Sequence, residues 1–314
     1  MRTEGIHHIT AIVGHPQENA DFYAGVLGLR LVKKTVNFDD PGTYHLYFGN
    51  KTGEPGTIIT FFPWANAFPG KIGSGQVGVT TYVVPEGALS FWENRLTNLN
   101  VHVQKEERFG ETFLAFEDPH GLQLEIVARS RGSKSDWETE DISSNEAIKG
   151  FGGAILLSSR PEQTGKLLTE GMGLQLIGQE GDYIRYEAPA ALGNIIDIKQ
   201  TPVGSGEMGV GMVHHIAWRA ADDAEQIEWQ EHIRNLGYGV TDVRDRQYFN
   251  AIYFRERGHL LFEIATDPPG FMRDEPVEAL GEELKLPEQF EAQREKIEQH
   301  VLPFTVPVQK GEKA

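Results

Sequence analysis

The sequence predicts an α+β protein built from four copies of one βαβββ unit, paired into two half-barrel domains. Three observations carry this reading. First, four apolar, strand-like segments each follow a glycine: Gly5-Ile6-His7-His8-Ile9-Thr10, Gly75-Gln76-Val77-Gly78-Val79-Thr80, Gly150-Phe151-Gly152-Gly153-Ala154-Ile155 and Gly211-Met212-Val213-His214-His215-Ile216. Second, a helix stop running into a strand recurs as Val26-Leu27-Gly28-Leu29, Gly171-Met172-Gly173-Leu174 and Asn235-Leu236-Gly237-Tyr238. Third, each unit closes on a further apolar strand. The openings recur every ~60–75 residues, too long a period for a solenoid and about right for a small βαβββ module.

The elements follow in order. Residues 18–27 place Ala20, Phe22, Tyr23, Val26 and Leu27 on one helical face, with Gly28 as the stop. Residues 89–99, 161–172 and 222–236 repeat the plan. The closing strands are read at residues 57–62, 122–127, 194–199 and 260–265, the second introduced by the turn Asp118-Pro119-His120-Gly121. A lone βαβββ unit exposes a sheet edge and an apolar face, and pairing two units buries both. By position in the chain, modules one and two span residues 5–130 and modules three and four span 150–267. Residues 268–314 differ: 282–301 are charged with helical spacing, and the last residues read as frayed. This extension is expected to pack on the domains or on a partner chain, which leaves room for a homo-oligomer.

The chain of 314 residues has 39% apolar and 24% charged residues, as in an ordinary globular protein. It has no cysteine, no apolar leader and no long apolar run, so a cytoplasmic protein without membrane contact is expected. Its net charge of −17 would repel a phosphate backbone, which argues against a nucleic-acid partner.

Two openings carry histidine pairs at the same point of their repeats, His7-His8 and His214-His215. Neighbouring strand residues face opposite sides, so one histidine of each pair can point inward; the alternation with apolar residues does not settle which. One closing strand combines a carboxylate with a histidine-bearing opening of the same unit, Glu263 in Leu260-Leu261-Phe262-Glu263-Ile264-Ala265. A carboxylate among apolar strand residues is costly to bury unless it is paired or bound to a metal. An isolated histidine pair is ordinarily a surface or hydrogen-bonded feature. Two at equivalent positions, with an inward carboxylate, match the facial triad of non-haem Fe(II), although the ligand types also suit zinc. Glu125 and Asp197 occupy closing strands whose units lack the imidazoles and are read as structural or as remnants of a lost site. Because the ligands come from units one and four, a site formed where units pair requires one to pair with four, and two with three.

The plan resembles the vicinal-oxygen-chelate superfamily, and more closely the hydroquinone ring-cleaving dioxygenases, over nearly the whole chain. The residues that carry the resemblance are Ile6-His7-His8-Ile9-Thr10, Tyr44-His45-Leu46-Tyr47-Phe48-Gly49, Gly56-Thr57-Ile58-Ile59-Thr60-Phe61-Phe62-Pro63, Val213-His214-His215, and Asp245-Arg246 through Tyr253 to Phe262-Glu263. The resemblance implies His8, His215 and Glu263 as ligands of Fe(II), with His7 or Thr10, His214, Arg246 and Tyr253 around a small aromatic substrate that reacts with O2. Read without it, Arg246 is half of a surface ion pair with Asp245, Tyr253 is core, and His45 is packed. Phe61, Phe62, Trp64 and Trp218 are candidates for the pocket wall. Three other functions compete with cleavage of a hydroquinone-type ring. Extradiol cleavage of a catechol shares the ligands. A glyoxalase-type lyase ordinarily needs a second carboxylate, which Thr60-Phe61-Phe62 lacks. Simple sequestration of a drug or quinone has no use for an open-sided metal site.

Overall fold

The computed structural model describes residues 1–307. The first unit supplies β1 (Ile6–Val13), β2 (Arg30–Asn37), β3 (Asp40–Gly49) and β4 (Ile58–Pro63). The second supplies β5 (Gln76–Val84), β6 (Gln104–Arg108), β7 (Glu111–Glu117) and β8 (Gln123–Ala128). The third supplies β9 (Gly150–Leu157), β10 (Gln175–Glu180), β11 (Tyr183–Glu187) and β12 (Ile195–Lys199). The fourth supplies β13 (Met212–Ala220), β14 (Arg244–Asp245), β15 (Phe249–Arg255) and β16 (Leu261–Pro269). The helices of the units are α1 (Pro16–Ala20), α2 (Leu89–Asn98), α3 (Pro161–Lys166) and α4 (Asp223–Asn235).

These strands form two eight-stranded sheets, ordered β14-β15-β16-β13-β1-β4-β3-β2 and β10-β11-β12-β9-β5-β8-β7-β6. Unit one therefore pairs with unit four through antiparallel β1 and β13, and unit two with unit three through β5 and β9, as the ligand placement required. The helix stops also behave as read: Gly28, Gly173 and Gly237 adopt φ of 69°, 76° and 85°, where a side chain would be strained. Two helices differ from expectation. Helix α1 begins earlier, at Pro16, with the His15 side chain accepting from Gln17 N, and then widens into a π-helical turn over Asp21–Val26. Helix α3 likewise passes into a π-helical turn over Leu167–Gly171.

The inner strands of both sheets pack one face into the main apolar core, which includes Ile9, Ala11, Phe48, Phe61, Trp218 and Ile264. Phe61 and Trp218 thus belong to that core and not to a pocket wall. The opposite face of the first sheet is a cup, and the C-terminal extension fills part of it. Phe271 and Leu280 join Val32, Tyr47, Ile58 and Tyr248 there. Fully buried Lys33 donates to Asp274 at 2.6 Å and to Glu275, tying the extension down. The long helix expected over 282–301 is replaced by α5 (Glu288–Glu291) and α6 (Arg294–His300). Pro287 explains the late start, since proline disfavours helix in the residue before it and lacks an N–H. The last, frayed-looking residues, 308–314, lie outside the described residues.

Candidate metal centre

Two β-bulges build the site. Along β1 and β13, Ile6 faces Trp218 while His8 faces Ala217, so His7 is an extra residue. Farther on, Thr10 faces His215 while Ala11 faces Val213, so His214 is extra on the other strand. A bulge re-aims side chains and breaks strict alternation. In consequence the two imidazoles of each pair meet instead of parting: His7 and His8 approach Nδ1 to Nδ1 at 2.9 Å, and His214 and His215 at 2.7 Å. The period-two expectation that neighbours point apart is corrected here.

With their Nδ1 atoms so engaged, His8 and His215 turn Nε2 toward each other at 3.3 Å. Glu263, opposite Ala217 on β16, places Oε2 2.8 Å from His215 Nε2 and 3.5 Å from His8 Nε2. Among the described residues, these three form a group whose ligand atoms all lie within 4.8 Å of one another, and all three are buried. Neither Glu263 oxygen receives a hydrogen bond of workable geometry. Burial alone would raise its carboxyl pKa, but the adjacent His8 and His215 hold it well below the usual range. A buried carboxylate facing two imidazole nitrogens without a proper donor is the arrangement that a divalent cation satisfies. The outer Nδ1 contacts supply the supporting shell that fixes ligand orientation.

A cavity of 190 Å³ opens on this group, lined by His8 and His215 at one end and by Arg246, Tyr253 and Asp39 among others. An apolar cavity of about 150 Å³ suffices for one benzene ring. Phe62 and Trp64 stack as part of the wall, with ring centroids 5.9 Å apart. Arg246 Nε donates to the Tyr253 hydroxyl at 3.1 Å, and its Nη2 donates to Asp39 at 2.9 Å; Arg246 is therefore not paired with Asp245. Burial, then the charge of Glu263, raises the Tyr253 pKa, so the phenol keeps its proton. His214 also lines the cavity. Burial, then the adjacent His215, brings its pKa down to about 3, leaving the ring neutral. His7 and Thr10 lie behind the wall: His7 packs against Phe249, and Thr10 Oγ1 bonds Thr60 Oγ1 at 2.8 Å.

Sequence reasoning gave six lining residues no place in the cavity: Asn37, Phe38, Asp39, His45, Tyr47 and Phe249. His45, read as packed, lines the cavity with its nitrogens engaged by Thr60 at 2.7 Å and Tyr47 at 2.8 Å. The signal was present in β3, where alternation sets His45 and Tyr47 opposite the core-facing Leu46 and Phe48. Asp39 sits in a hairpin turn, where an aspartate draws no notice.

The second sheet repeats the same register with different chemistry. Its bulge residues are Gly78 and Gly152. Counting from the bulges, Glu125 stands where Glu263 stands, and Asp197 where Thr60 stands. A guanidinium lies between them: Arg108 donates to Glu125 at 3.0 and 2.6 Å and to Asp197 at 2.9 Å. Arg185 also donates to Asp197. Glu125→Gln is expected to keep metal content and activity while costing about 3 kcal/mol of stability. That is the low end for breaking a buried pair, because Asp197 still holds Arg108. Metal analysis beside denaturant unfolding checks this, and loss of metal would move the centre to the second half-barrel.

Bulged histidine pairs, a closing-strand glutamate and cross-paired βαβββ units together define a class of half-barrel protein with a candidate metal centre. The chain belongs to the Glyoxalase/Bleomycin resistance protein/Dioxygenase superfamily, whose profile matches residues 5–126 and 153–272. Each matched stretch gives one unit to each sheet. Over 305 residues the chain is 65% identical to a Bacillus subtilis (strain 168) protein named "Putative ring-cleaving dioxygenase MhqO", covering 97% of this chain and 98% of that one. It is 38% identical over 307 residues to the chlorohydroquinone/hydroquinone 1,2-dioxygenase of Sphingobium indicum, covering 94% and 95%. A crystal structure titled "putative dioxygenase" from Bacillus subtilis superposes with a TM-score of 0.97 at 64% identity, covering 98% of this chain and 99% of that one.

Proposed function

We propose that this protein is an Fe(II)-dependent dioxygenase that opens the ring of a hydroquinone-type aromatic with O2. The observation that carries the reading is the single-ring cavity on the His8, His215 and Glu263 group, whose wall includes His8, His215, Arg246 and Tyr253. The names of the two curated relatives point the same way. Iron(II) held by those three ligands would supply the electron exchange between an electron-rich ring and dioxygen that closed-shell zinc cannot.

The chain's own residues do the rest. A para-diol cannot grip one metal with both oxygens, so its ring needs a second fixed point. Arg246 still has N–H groups beyond those given to Asp39 and Tyr253, and Tyr253 accepts from Arg246 and so can turn its own proton to a ligand. In this reading these groups hold the remote hydroxyl. His215, bound through Nε2, would keep its proton on Nδ1 and donate it to His214. His214 then carries its proton on Nε2 and serves as the hydrogen donor within the cavity. Phe62, Trp64 and the neutral ring of His45 narrow the space for water around the bound ring. Among the described residues no helix is long and apolar enough to cross a membrane.

The test is anaerobic loading of the protein with Fe(II) or Zn(II), followed by oxygen-uptake measurements on methylhydroquinone and catechol. Oxygen consumption with Fe(II) and none with Zn(II) is expected. Turnover with zinc in the absence of oxygen would instead support lyase chemistry.

A further inference from the structure

The cavity wall contains one carboxylate with no part in the account so far. Asp39 lies in the turn between β2 and β3, where its backbone N–H donates to Asn37 Oδ1 at 3.0 Å. Its side chain lines the cavity. Its Oδ2 accepts from Arg246 Nη2 at 2.9 Å, and Arg246 is only 17% exposed. Asp39 and Arg246 are the two Asp, Glu, Lys or Arg residues in the lining. Arg244 also approaches Asp39, at 3.5 Å, but stands outside the lining.

We propose that Asp39 determines the substrate class by reserving the Arg246 region of the cavity for uncharged phenols and excluding rings with a carboxylate there. The inference rests on the reading above that a phenol enters with one oxygen toward His8, His215 and Glu263. An arginine beside a small aromatic cavity is, by itself, a fork shaped for a carboxylate. Asp39 already occupies part of that fork. A ring carboxylate arriving there must displace Asp39 from its partner or lie against a like charge, and either costs affinity. A hydroxyl needs only one donor or acceptor, and Tyr253 and the remaining Arg246 N–H groups provide both. Discrimination thus comes from a repulsive group built into the wall as well as from favourable contacts. The Asp39 side chain is 59% exposed, so solvent screens part of its charge. The expected discrimination is accordingly about tenfold, well short of an absolute exclusion.

Binding of 4-hydroxybenzoate and its neutral isostere 4-hydroxybenzamide to the zinc-loaded protein, followed by calorimetry, tests this without turnover. The unaltered protein should hold the amide more tightly. Asp39→Asn should move the ratio of the two dissociation constants toward the carboxylate by about tenfold or more. Asp39→Glu, which keeps the charge, should retain the original preference. An unchanged ratio in Asp39→Asn would overturn the inference. So would a wild-type protein that holds the carboxylate as tightly as the amide, or one that binds no amide. A shifted ratio in a protein that consumes no oxygen with any hydroquinone would leave the selectivity standing and overturn the proposed reaction instead.

Discussion

Glu263→Ala is expected to strip the bound metal and to lower ring cleavage by at least ~10³-fold, about 4 kcal/mol of transition-state stabilisation. Glu263 is the sole carboxylate of the three-residue group, and its Oε2 lies within 3.5 Å of both ligand nitrogens. Removing it leaves two imidazoles facing each other at 3.3 Å with no anionic ligand, a poor site for a divalent cation. The fold should survive, because the cost of burying that carboxylate without a donor disappears with it. His8→Ala and His215→Ala should lose metal in the same way. Metal content measured beside circular dichroism separates the two effects. A folded Glu263→Ala protein with full iron occupancy would refute the ligand set.

Arg246→Ala and Tyr253→Phe should impair hydroquinone turnover more than any turnover of catechol. Catechol can grip a metal with adjacent oxygens, and that grip fixes its ring. A hydroquinone attached through one oxygen can swivel about it, and hydrogen bonds to the far hydroxyl must supply the missing orientation. A charge-assisted hydrogen bond fully expressed in the transition state contributes about 1.5–3 kcal/mol, or about tenfold to more than a hundredfold in rate. Tyr253 also faces Glu263 across β15 and β16, so Tyr253→Phe perturbs the carboxylate as well. Arg246→Ala is thus the cleaner variant. The measurement is kcat/KM for both substrates at equal iron content. Unchanged hydroquinone turnover in Arg246→Ala would make that residue structural. An equal fall for both substrates would move its role to the integrity of the site.

The repeat was legible because its signals are local: glycine before each opening, glycine after helices, and apolar closing strands. The cross-pairing of units was legible from chemistry, since His8 belongs to the first unit and His215 and Glu263 to the fourth. Hidden from the sequence were the features that depend on register. Nothing in His7-His8 or His214-His215 announces a bulge, because the extra residue is defined only by the partner strand. The plug formed by Phe271, Leu280 and the Lys33–Asp274–Glu275 cluster was hidden for a related reason. Contacts separated by some 240 residues leave no local trace. Asp39 shows the same limit, since a turn aspartate gains meaning only when Arg246 is brought to it from the far end of the chain.

The most direct test of the account is mass spectrometry of the product that the iron-loaded protein forms from methylhydroquinone under isotopically heavy dioxygen. The account predicts a ring-opened acid carrying one labelled oxygen in its new carboxylate. The second labelled oxygen should sit in its new carbonyl, read before that group exchanges with water. Unlabelled methylbenzoquinone, with the label recovered in peroxide or water, would show simple oxidation of the diol and contradict ring cleavage.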